Sequence, residues 1–78
     1  MGRPTRVTND IRQLRFANGE MTQAELAERV GVTRQTIIAI EQGRYSPSLE
    51  MAFQIAAALH VKLDDAFHYP ATATEESR

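Results

Sequence analysis

Between residues 22 and 43 the chain starts, stops and restarts a helix with almost no linking residues, and this spacing constrains the fold more than any other feature. Thr22-Gln-Ala-Glu25 is a capping box: the threonine hydroxyl accepts from a free amide of the first turn while the glutamate reaches back to the cap. Leu26, Ala27 and Val30 then fall on one helical face, and Gly31 supplies a stop. Thr33 caps the next helix only two residues later, Ile37 and Ile40 turn inward, and Gln42-Gly43 closes it. Two short helices joined by Gly31-Val32, with Val32 plugged between them, must cross steeply, at roughly 90–120°.

The remaining apolar spacing is also helical, and no run alternates as a strand would. A first helix is expected over about Asn9–Ala17, with Thr8 as its cap, Asp10 in its first turn, Ile11 and Leu14 inward, and Asn18-Gly19 at its end. A fourth begins at Ser46-Pro47, with serine as cap and proline in the first turn, and continues to about Leu59. A last short helix, about Leu63 to Phe67, places Asp64 and Asp65 at its positive end, although Lys62 stands where a capping residue belongs. The expected fold class is all-α, a compact bundle of about five short helices. It occupies residues 8–69, with 1–7 as a flexible basic arm and 70–78 as a flexible tail.

Seventy-eight residues limit the chain to one domain with a small core. There is no cysteine, which suits a reducing cytoplasm and removes any thiolate zinc site. His60 and His68 lie eight positions apart without a ligand set around them, so neither metal nor cofactor is expected. No stretch approaches the ~20 apolar residues of a membrane span, and Arg3 and Arg6 precede no apolar run of a secretion signal. Nothing pairs a nucleophile with a base at an evident spacing, no Gly-rich phosphate loop occurs, and short helices leave little volume for a pocket. An enzyme with a small-molecule substrate is therefore not expected. The net charge of −1 hides an asymmetry: residues 1–44 carry seven arginines against five acids, whereas residues 45–78 carry one Lys and one Arg against five acids. One face for a polyanion and another for other purposes would produce that split.

Taken together, T-Q-x-x-L-A-x-x-x-G at 22–31, T-R-Q-T at 33–36, I-x-x-I-E-x-G at 37–43 and P-S-L-E at 47–50 resemble the lambda-repressor-like (Xre/Cro-type) helix-turn-helix family of transcriptional regulators. The likeness runs from about Ile11 to Phe67. It implies double-stranded DNA as partner, with the helix over 33–42 in the major groove. Gln23 matches a position that reaches phosphate and braces a neighbouring glutamine. Arg34 and Gln35 match base-reading positions, and their chemistry agrees, because Arg grips guanine and Gln grips adenine through two hydrogen bonds each. Thr33 and Thr36 flank them, Thr36 meeting the DNA backbone or a thymine methyl. Arg44 is implied as a phosphate clamp with Tyr45 beside it. Ile38 and Ala39 depart from the family's polar pattern and point to apolar contact with thymine methyls.

The same alignment places Arg15 opposite Glu41 as a buried pair that would pin the recognition helix to the first helix. The link Gly19-Glu-Met-Thr22 is one residue longer than usual and reads as loop slack. In the fourth helix only Glu50, Gln54 and Ala57 form a stripe suited to water. Leu49, Met51, Ala52, Phe53, Ile55, Ala56, Ala58 and Leu59 exceed the usual apolar arc. That surplus, Phe53 or Met51 with Phe67, suggests cover by a second subunit and hence a homodimer on a palindromic operator. The alternative is a protein-interaction module or antitoxin that uses the same fold to hold a protein partner.

Overall fold

A computed structural model describes residues 5–70 of the chain. The elements in order are β1 (Thr8–Asn9), α1 (Ile11–Ala17), α2 (Gln23–Val30), α3 (Arg34–Glu41), α4 (Leu49–Ala58), α5 (Leu63–Ala66) and β2 (Phe67–His68). Residues 1–4 of the expected arm, and all of the expected tail except Pro70, lie outside the described residues.

The five helices surround one apolar core. Ile11, Leu26, Ile37, Ile40, Ile55 and Leu59 are fully buried within it, with Met21, Ala27, Ala52, Ala56 and Ala66 also buried. Leu14, Val30, Val32 and Phe67 pack against its edge. Ile11, Leu26, Ala27, Ile37 and Ile40 are positions the helical spacing turns inward. In the fourth helix the spacing gave only a broad apolar arc, from which Ala52, Ile55, Ala56 and Leu59 are the buried members, and Met21 and Ala66 are additions.

Two residues at each end depart from the all-helical expectation. Thr8 does not cap a helix. It pairs with His68 while Asn9 pairs with Phe67, as an antiparallel two-stranded ribbon. Two-residue strands are too short to show alternation, and their pairing joins residues at opposite ends of the domain. Helix α1 consequently starts later than its spacing suggests, with Asp10 at the N-cap making no side-chain cap bond. Asn9 substitutes for it: Asn9 Oδ1 accepts from the Ile11 amide at 3.1 Å, and Asn9 Nδ2 donates to the Ile40 carbonyl at 3.0 Å. Asp10 instead turns to the other end of the chain, where His68 Nε2 lies 2.9 Å from its Oδ2.

The start of α4 also moves. Ser48, not Ser46, is the cap, and its hydroxyl accepts from the Met51 amide at 3.1 Å. Ser48 is extended, with ψ 163°, and an extended residue cannot sit inside a helix that began at Pro47. Helix α5 is a single turn ending at Ala66, because Phe67 is already extended as part of the ribbon. At its start the Lys62 amide donates to Asp65 Oδ2 at 3.2 Å. The lysine side chain carries no acceptor, so that cap is one-sided.

Gly31 ends α2 in the left-handed conformation, with φ 86°, and both its amide and that of Val32 donate to the Ala27 carbonyl. A Cβ there would meet nothing within 4 Å, so the demand for glycine is conformational and not spatial. Gly31→Ala is expected to cost about 1–2 kcal/mol. In a domain of this size that lowers the melting temperature by roughly 4–8 °C per kcal/mol, measurable by circular dichroism.

Candidate nucleic-acid interface

The capping box at the head of α2 closes in both directions. Thr22 Oγ1 accepts from the Glu25 amide at 3.0 Å, and Glu25 Oε1 accepts from the Thr22 amide at 2.8 Å. Two residues after α2 stops at Gly31, Thr33 caps α3, its Oγ1 accepting from the Thr36 amide at 3.2 Å. The Thr33 and Thr36 hydroxyls are 3.0 Å apart, so each is engaged with the other at the helix tip.

Burial sets the rotation of α3. Ile37 and Ile40 are locked in the core. At 100° per residue Gln35 lies about 160° around the helix from Ile37. Arg34 and Gln35 are both exposed at the N-terminal end, while Ile38 and Ala39 are half-buried further along. At the other end Gly43, with φ 74°, lets the chain turn away: its amide donates to the Ile40 carbonyl and the Arg44 amide to the Ala39 carbonyl. This pair of bonds is a Schellman motif, and it leaves Arg44 and Tyr45 exposed just past the helix.

Glu41 gathers three helices at one carboxylate. Arg15 Nε of α1 donates to Glu41 Oε2 at 2.8 Å, and Arg15 Nη2 to Oε1 at 3.2 Å, a two-pronged pair with side chains about one-tenth exposed. Gln23 Nε2 of α2 donates to the same Oε1 at 3.2 Å. The glutamine's amide is thus engaged at Glu41 and not at a neighbouring glutamine, and its second N–H is left over for another acceptor. Arg15 Nη1 also donates to the Met21 carbonyl at 2.8 Å, while the Met21 amide donates to the Arg15 carbonyl at 2.9 Å. The longer link between α1 and α2 is therefore not slack. Gly19 and Glu20 are consecutive left-handed residues, with φ 77° and 57°, which absorb the extra length and deliver Met21 into the core.

An open cleft of about 700 Å³ runs between α1 and the head of α2, and Arg12, Gln23, Ala24, Arg34 and Gln42 are among its lining residues. It brings Gln23 and Arg34 to one surface, whereas Arg44 and Tyr45 sit at the far end of α3. Three contributors escaped sequence reasoning. Asn9 ties the ribbon to the end of α3, Met21 anchors the link, and Phe16 stands half-exposed with the Arg12 and Arg15 guanidinium carbons 5.8 and 5.7 Å from its ring centre. A signal was available only for Phe16, which follows Arg12 by four residues and so shares its helical face.

Comparison with known proteins places this geometry. The helix-turn-helix family model matches residues 11–65. The chain belongs to the helix-turn-helix family. Its relatives include an uncharacterized HTH-type transcriptional regulator of Methanocaldococcus jannaschii, 57% identical over 49 residues covering 63% of this chain and 74% of the relative. A second, from Archaeoglobus fulgidus, is 45% identical over 62 residues and covers 80% of this chain and 87% of the relative. Among solved structures, the restriction-modification controller protein C.AhdI from Aeromonas hydrophila superposes with a TM-score of 0.65 at 31% identity, covering 70% of this chain and 78% of that one. In this helix-turn-helix protein α2 and α3 are the two helices of the motif, and the lambda-repressor-like pattern at 22–43 lies inside the matched span. No helix among the described residues is long and apolar enough to cross a membrane.

Proposed function

We propose that the chain is a sequence-specific, DNA-binding transcriptional regulator of the cytoplasm, acting as a homodimer on a palindromic operator. The observation that carries this reading is the exposure of Arg34 and Gln35 at the tip of a helix whose base is held by the Arg15–Glu41–Gln23 cluster. A major groove ~12 Å wide admits one α-helix. With α3 in the groove, the Arg34 guanidinium is placed to donate twice to a guanine, and the Gln35 amide to donate to and accept from an adenine. Ile38 and Ala39 offer apolar surface to thymine methyls.

Helix α2 then crosses the phosphates. The Gln23 and Ala24 amides have no intrahelical acceptor, and the second N–H of the Gln23 side chain is uncommitted, so all three can donate to a phosphate oxygen. Thr33 and Thr36, through a hydroxyl or methyl, and Arg44 with Tyr45 extend the backbone contact to either end of α3. The Glu41 cluster fixes the angle between α2 and α3, so that phosphate contacts set the register in which bases are read.

Selection from random duplex DNA with the full chain tests the proposal. The expected product is an enriched inverted repeat with half-site centres about one helical turn, ~34 Å, apart. Enrichment of nothing at low salt, where phosphate attraction is greatest, would remove the DNA-binding reading.

A further inference from the structure

We propose that helix α1 is part of the DNA-binding surface: Arg12 grips a phosphate beside the one at the head of α2, and Phe16 is the positioning residue that holds its guanidinium there. This rests on the DNA-binding reading above and adds an element outside the helix-turn-helix motif. Arg12 lies on the wall of the cleft that also holds Gln23 and Arg34. A duplex seated on those two residues runs across Arg12 as well.

Charge singles out Arg12 among the groups of the cleft. Arg15 is committed inward, to both oxygens of Glu41 and to the Met21 carbonyl. Arg12 is exposed, and among the described residues it forms no ion pair. Its N–H donors are left for an acceptor from outside. Of the acids on the wall, Glu41 is neutralised by Arg15, which leaves Arg12 and Arg34 facing Glu20. The uncompensated charge of the cleft is positive, as a polyanion requires.

Phe16 gains a role from the same arrangement. It is 53% exposed and lines the cleft, so burial does not account for a large aromatic at this place. Its ring centre lies 5.8 Å from the Arg12 guanidinium carbon and 5.7 Å from that of Arg15. Both distances fall inside the ~6 Å reach of cation–π attraction. Arg12 stands one helical turn before Phe16, on the same face of α1. Arg15 is fixed by Glu41, the ring rests beside Arg15, and Arg12 rests on the ring. An arginine free in water loses rotamer freedom when it takes a phosphate, and one already laid on a ring loses less. The cluster that orients α3 thereby also sets the phosphate contact of α1.

Binding of the full chain to its selected duplex and to an unrelated one, followed by fluorescence anisotropy between about 50 and 200 mM salt, tests the proposal. Arg12→Ala should weaken both about fivefold to tenfold at ~100 mM salt and lower the slope of log affinity against log salt by about one unit. Arg12→Lys should restore the slope, since an ammonium still neutralises a phosphate. Phe16→Leu keeps apolar bulk without a π face, and should weaken binding about twofold to fivefold, with Phe16→Tyr recovering it. In an Arg12→Ala background the Phe16→Leu exchange should have no further effect. Arg29→Ala takes one charge from the last turn of α2 and should leave the slope at its wild-type value. Wild-type affinity and slope in a folded Arg12→Ala chain overturn the assignment of α1, while the DNA-binding reading stands on the wild-type chain's own binding. A Phe16→Leu loss that persists in full without Arg12 overturns the positioning role. A wild-type chain that binds no duplex removes the DNA-binding reading and this inference with it.

Discussion

Replacing both Arg34 and Gln35 by alanine should abolish discrimination between the operator and unrelated DNA while leaving the fold intact. Each well-formed two-bond contact to a base edge contributes ~1–3 kcal/mol of discrimination, so losing both corresponds to roughly a 30-fold to 10⁴-fold loss of specificity. Both side chains are exposed, and exposed substitutions away from caps and ion pairs change stability by within about 0.5 kcal/mol. The effect should therefore appear in competition binding and not in the melting curve. Arg44→Ala provides the contrast. As a phosphate contact it should weaken operator and unrelated DNA alike, and lower the dependence of log affinity on log salt by about one unit. If the fold served only to hold a protein partner, the double variant would retain that partner and change nothing else.

The second large effect is expected at Glu41. Its removal leaves the Arg15 guanidinium, in a residue only 7% exposed, without its carboxylate, and frees the Gln23 side chain. Breaking one side of such a buried pair costs about 3–5 kcal/mol. That is a large share of the ~5–15 kcal/mol that holds a small domain together. Glu41→Ala should accordingly lower the melting temperature by roughly 12 °C or more. Arg15→Met with Glu41→Leu replaces both charges by apolar groups of similar size, and such exchanges are often neutral or better for stability. The double variant should melt near wild type and yet bind the operator less tightly, because nothing then fixes α3 against α1 and α2. Unchanged operator affinity in a stable double variant would reduce the cluster to a packing device with no part in orientation.

What could be read from the residues was local. The capping box at Thr22, the cap at Thr33 and the left-handed stop at Gly31 depend on neighbours within three or four positions, and each stands where the spacing puts it. The inward faces of Leu26, Ala27, Ile37 and Ile40 followed from helical period alone. The ribbon of Thr8–Asn9 with Phe67–His68 was not legible, since its bonds join the two ends of the domain. Without it Asn9 looked like a first helical residue, when its side chain actually bonds to the end of α3.

Two other misses share a different cause. Ser46 and Ser48 are equally good caps on paper, and only the extended backbone of Ser48 decides between them. Met21 looked like part of a loose link because three polar or flexible residues precede it. Its burial needs two left-handed residues in a row, and Glu20 gives no compositional sign of adopting that conformation.

The central claim is that the N-terminal end of α3 is the DNA-reading surface, and an amide-resolved NMR titration of the ¹⁵N-labelled chain with its selected duplex tests it most directly. The account predicts the largest shifts at Gln23, Ala24, Thr33, Arg34, Gln35 and Arg44, with those of the buried Ile55 and Leu59 small. Shifts gathered on the α4 and β2 face, with Thr33 to Thr36 unmoved at saturation, would contradict it.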